Sequence, residues 1–175
     1  MSGAVVWLTG LPSSGKSTLA GHLVARLREA GCPAVVLDGD EVRDALVPRP
    51  GYTPEERDSF YATLARLAAL LARQDLIVLV AATGHRRAWR DRARALAPRF
   101  LEVFVDVPAE ECRRRDGKGL YAQAASGAVL NLPGAGVEFE PPQAPEVVAR
   151  GGEDAGALDE ILSRLDCAPV SCPSA

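Results

Sequence analysis

Residues 10–18, GLPSSGKST, place two glycines, a lysine and two hydroxyls at the spacing G-x-x-x-x-G-K-S. A glycine-rich turn that opens a helix turns backbone N–H groups toward an anion, and the helix dipole favours negative charge there. The spacing therefore assigns Gly10, Leu11, Pro12, Ser13, Ser14, Gly15, Lys16, Ser17 and Thr18 to a nucleoside triphosphate, with the N–H groups from Ser13 to Thr18 around the β-phosphate. Lys16 is placed to bridge the β- and γ-phosphates and Ser17 to put its hydroxyl on Mg²⁺. The motif has meaning only between a strand and a helix, and both are expected: VVWLT precedes it, and Leu19, Leu23 and Leu27 follow at i+4 steps.

A second group of reactive side chains lies in LDGDEVR, residues 37–43. Asp38 and Asp40 follow an expected strand, at the sheet edge where ligands bind in α/β folds. A carboxylate there can orient or deprotonate an acceptor hydroxyl, a role that falls to Asp40. Asp38 is expected either to support the Mg²⁺ shell or to cap the next helix. Arg43 and Arg57 are candidates for holding an anionic acceptor, because guanidinium offers two parallel donors. Of 20 basic residues only Lys16 and Lys118 are lysines, which singles out Lys118 as a second place where an ammonium fits and a planar fork does not. No N-K-x-D tetrapeptide occurs, which argues against a GTPase, and the third strand, LIVLVA, is not closed by the acidic residue of a motor ATPase.

These groups need elements to hold them. A chain of 175 residues with 47% apolar content suits one domain with a full core. Apolar runs at 4–9, 34–38, 76–81, 100–107 and 146–149 alternate with helical segments at 16–30, 54–73, 86–96, 108–115 and 155–165. Strands that are apolar throughout predict an α/β fold with a parallel sheet covered by helices on both faces. Thr53, Pro54 and Glu56 form an expected capping box at the start of the second long helix. From Gly117 to Pro145 the pattern dissolves, as in a long lid loop. One domain over residues 1–166 and a flexible tail over 167–175 complete the expected layout. Net charge is −3, so no nucleic-acid footprint is expected, although a pocket can be locally basic. MSGAVVWLTG carries no leader or spanning run, which predicts no membrane and a cytoplasmic chain. Cys32, Cys112, Cys167 and Cys172 have no zinc-like spacing and are expected reduced, with a Cys167–Cys172 bridge the alternative in an oxidising setting.

GLPSSGKST, LDGDEVR, GYTPEERD, VFVDVPAEECRRRDGKGLY and FEPPQAPEV occur in this order. In order and spacing the chain resembles the adenylylsulfate kinases from Trp7 to about Leu165. The resemblance implies a three-layer P-loop kinase fold, often dimeric, that moves the γ-phosphate of ATP to the 3′-hydroxyl of adenosine 5′-phosphosulfate (APS). It implies that Asp40 serves the hydroxyl, that Arg43 and Arg57 hold the acceptor, and that Tyr52 contacts its adenine. Arg115, Asp116, Lys118 and Gly119 would form the base of a lid over about 117–145 that closes over both nucleotides, with Arg115 and Lys118 on ATP and Lys118 also on the acceptor. Departures gather on the acceptor side. Phe60 stands where the family has an acceptor-binding asparagine, Ala62 and Thr63 where it has arginines, Gly84 and His85 where it has Ser-Pro, and Leu132 where a phenylalanine stacks on the acceptor base. Those departures leave open an acceptor other than APS, or a nucleotide-binding regulator without transfer.

Overall fold

The computed structural model describes residues 3–116, 119–126 and 132–167. The chain runs β1 (Ala4–Thr9), α1 (Lys16–Glu29), β2 (Ala34–Asp38), α2 (Gly39–Ala45), α3 (Pro54–Ala72), β3 (Ile77–Ala81), α4 (Arg87–Leu96), β4 (Phe100–Val105), α5 (Ala109–Arg115), α6 (Leu120–Ala125), β5 (Leu132–Pro133), β6 (Gly136–Val137), β7 (Val147–Ala149) and α7 (Ala155–Arg164). Five strands pair in parallel in the order β2-β3-β1-β4-β7, with β5 and β6 a separate short pair.

β1 sits in the middle of the sheet, and its alternation divides the core. Ala4, Val6 and Leu8 face one side, against Leu19, Leu23 and Leu27 of α1 and Ile161 of α7. Val5 and Trp7 face the other, against Phe60, Tyr61, Leu64 and Ala68 of α3 and Trp89 of α4. A strand with a buried residue at every position therefore reads as an unbroken apolar run, because successive side chains serve opposite layers. The predicted three-layer architecture is the observed one.

The capping box forms as expected: the Thr53 hydroxyl accepts from Glu56 N–H, and the Glu56 carboxylate accepts from Thr53 N–H. Three features differ from expectation. α2 and α6 are helices of seven and six residues that carry too few periodic positions to stand out in sequence. The region expected to lack pattern contains α6 and the β5–β6 pair. Cys167, expected at the head of a flexible tail, is 3% exposed and its N–H donates to Leu162 O. Lys118 and Cys172 lie outside the described residues, as does Gly117.

Candidate active site

The phosphate loop links β1 to α1 and is shaped by close approach. A Cβ on Gly10 would lie 2.5 Å from Val105 O, and one on Gly15 would lie 2.6 Å from Gly152 N, so both positions require glycine. Gly15 caps α1 in the left-handed conformation, and neither a capping side chain nor a first-turn acid claims the N–H groups of that turn. An uncapped N-terminus with its dipole unopposed is an anion site. Lys16 Nζ folds back over the loop, donating to Gly10 O at 3.0 Å and Leu11 O at 2.7 Å. The ammonium is thereby held above the turn where a phosphate chain would lie.

Asp38 joins this loop to the segment expected to serve the acceptor. Ser17 Oγ donates to its Oδ2 at 2.5 Å, and Asp40 N–H donates to its Oδ1 at 2.9 Å. The capping reading of Asp38 is the one observed, and the same carboxylate touches the loop serine. Asp40, the second residue of α2, lines the same cavity.

The end expected to take the acceptor is built around Arg43. This side chain is 4% exposed, and its Nη1 donates to Gly51 O at 2.6 Å and Pro50 O at 3.2 Å. Its guanidinium carbon lies 3.9 Å from the Phe60 ring centroid and 4.5 Å from that of Tyr52. Arg57 Nε donates to Tyr52 O at 3.0 Å, and burial with the Arg43 charge beside it lowers its pKa. Tyr52 is half exposed, whereas Phe60 is 2% exposed. Phe60, expected to touch the acceptor, thus sits at the base of the pocket and backs Arg43.

A cavity of about 1420 Å³ contains both ends. That exceeds the ~300–1,000 Å³ of a single-ligand pocket and is open enough for two. Leu132 and Leu120 form part of its wall, and Arg115 reaches it from the end of α5 while pairing with Glu111. Tyr121 of α6 donates its hydroxyl to Pro12 O at 3.1 Å, so the lid segment is anchored on the phosphate loop, and burial pushes that phenol up to about 12. Sequence reasoning missed Arg150, Gly152 and Asp154, which line the cavity after β7. The signal available was RGGED directly after a parallel strand, where ligand-facing turns lie.

A family model described as adenylylsulphate kinase matches residues 2–150. The chain belongs to the adenylylsulfate kinase family. It is 44% identical over 164 residues to the adenylyl-sulfate kinase of Chloroflexus aurantiacus, covering 94% of this chain and 87% of that one. It is 45% identical over 165 residues to the bifunctional enzyme NodQ of Azospirillum brasilense, covering 93% of this chain but only 27% of NodQ. The Mycobacterium tuberculosis APS kinase CysC in complex with AMPPNP and APS superimposes with a TM-score of 0.88 at 34% identity, over 94% of this chain and 98% of that one. As a member of this family the chain is a phosphotransferase that acts on a hydroxyl acceptor.

The segment FEPPQAPEV, residues 139–147, proves to be a strap. Glu140 accepts from Arg87 N–H at 2.7 Å and so caps α4, while its backbone bonds His85 O and Arg90 Nη2. Glu146 takes both Arg94 donors and Glu102 N–H. These bonds fix the return limb of the lid to α4 and β4. His85, the residue that replaces the family proline, is 3% exposed and set edge-on to Trp89, 4.7 Å between centroids. Its Nδ1 has no partner among the described residues, and burial, with Arg57 and Arg86 nearby, lowers its pKa from 6.5 to about 4. A histidine that stays neutral at pH 7 behind the cavity wall is packing, not an acceptor contact.

Proposed function

We propose that the cavity holds ATP at the Gly10–Thr18 loop and APS at the Arg43, Tyr52 and Arg57 end, with Asp40 between them serving the 3′-hydroxyl. The observation that carries this reading is the Asp38 carboxylate, which ties Ser17 on the donor side to the Asp40 backbone on the acceptor side. The acceptor oxygen attacks the γ-phosphorus, the bond to the β-bridging oxygen breaks, ADP leaves, and Asp40 takes the hydroxyl proton. Lys16 and the first-turn N–H groups of α1 hold the β- and γ-phosphates in line, and Arg43 and Arg57 set the acceptor by its anionic groups.

Ser17 Oγ and the Asp38 carboxylate are hard oxygen donors facing each other at 2.5 Å, a set that suits Mg²⁺; bound with ATP, the ion would neutralise charge on the phosphates. Arg115, and Lys118 on the resemblance alone, would close over ATP. Closure of the lid on its Tyr121 anchor would exclude water and suppress hydrolysis. No helix among the described residues is long and apolar enough to cross a membrane. A homodimer, as the resemblance implies, and a cytoplasmic location belong to the same proposal, and sedimentation at twice 18.5 kDa would support the dimer.

Replacing the Asp40 carboxylate tests the assignment. Asp40→Asn is expected to lower kcat by about 10²–10⁴ while leaving ATP affinity unaltered. An unchanged kcat removes Asp40 from the chemistry.

A further inference from the structure

Helices α1 and α7 end in the same way, and each ending presents a cysteine. After α1, Gly31 takes φ 73°, its N–H donates to Arg28 O, and Cys32 N–H donates to Leu27 O. After α7, Asp166 takes φ 57°, its N–H donates to Ser163 O, and Cys167 N–H donates to Leu162 O. Each is the paired set of bonds of a left-handed helix stop, which lays the second residue past the helix back against its last turn. Here that residue is a cysteine both times, and both side chains are buried, 2% and 3% exposed. Because α1 and α7 pack side by side on one face of the sheet, sulfurs 135 residues apart in sequence meet at 2.6 Å.

We propose that Cys32 and Cys167 form a modification site, closing to an intramolecular disulfide in the presence of a low-molecular-weight disulfide. Neither cysteine is in a disulfide in the structure. One thiolate attacks a sulfur of the small disulfide, giving a mixed disulfide and releasing one small thiol. The other cysteine sulfur then displaces the second small thiol. Two protein thiols become one disulfide, and the small disulfide is reduced to two thiols. Burial and the neighbouring Cys32 push the Cys167 thiol up to about 12, so attack requires the stop after α7 to open. That stop is the weaker of the two, since Asp166 rather than glycine holds the left-handed position.

The bridge would fasten the far ends of two helices whose near ends meet the cavity, α1 at Lys16 and α7 just beyond Asp154. It would therefore stabilise the fold without entering the site. The test is to refold the reduced full-length chain in a buffer of reduced and oxidised glutathione and to map cysteine pairing by mass under non-reducing conditions. The expected result is a loss of about 2 Da carried by a peptide pair joining Cys32 to Cys167. Cys112 should remain a thiol. The oxidised protein should melt about 5–15 °C higher than the reduced one. That gain should vanish in Cys32→Ser, with kcat held within about two-fold throughout. Pairing of Cys167 with Cys172, glutathione adducts in place of the bridge, or two thiols that still alkylate after refolding would each overturn the proposal.

Discussion

Arg43 shows how one residue is made into a rigid cation. Its Nη1 is committed to the Pro50 and Gly51 carbonyls and its face to Phe60, which leaves the rest of the guanidinium fixed on the cavity wall. A cation over an aromatic face is worth about 0.5–2 kcal/mol, more when desolvated. Phe60→Leu, which keeps bulk and removes the ring face, should therefore raise the KM for the anionic acceptor about 2- to 30-fold with the KM for ATP unmoved, and Phe60→Tyr should restore it. Steady-state kinetics with each substrate varied in turn decide this, and equal acceptor KM values across the three proteins would rule the stack out. The sequence pointed to Phe60 as a direct contact because the position, not the depth, is what a motif records. Depth came from α3, whose inward stripe includes Phe60 and Leu64.

At the scale of elements, one buried side chain ties the strap, α4 and β4 together. Arg90 is 2% exposed and bonds Glu102 of β4 at 2.6 Å, the Gly84 carbonyl and the Glu140 carbonyl. Removing one partner of a buried pair strands the other charge, so Arg90→Ala should destabilise by about 3–5 kcal/mol in denaturant unfolding. A loss under about 1 kcal/mol would show that the pair is dispensable. Nothing in the sequence distinguishes Arg90 from the neighbouring arginines, since its importance comes from where β4 and residue 140 fall in space. The capping box of α3, by contrast, was legible, because Thr53, Pro54 and Glu56 satisfy each other within four residues. α2 was legible only through its cap, Asp38, and α6 not at all.

For the whole molecule, His85 is one source of pH-dependent stability. His85 is neutral in the fold, with its pKa at about 4 against 6.5 unperturbed. The unfolded chain thus binds the extra proton first, and the contribution of neutral His85 is complete above pH 6.5 and lost as pH falls toward 4. The loss is at most about 3 kcal/mol. Urea unfolding across that range should fall more steeply for the wild type than for His85→Asn, and parallel curves would show that His85 titrates normally. The parallel sheet and the phosphate loop could be read from the chain because each is encoded by neighbours in sequence. The candidate acceptor end could not, because it is assembled from α2, the turn at residues 50–52 and α3. The central claim concerns that pocket. The most direct measurement is ADP release with ATP and Mg²⁺, with and without APS, the product identified by mass and Lys16→Ala as the control. An APS-dependent rate yielding 3′-phosphoadenosine 5′-phosphosulfate, lost in Lys16→Ala, is the predicted result. ATP binding with no stimulation by APS would contradict it.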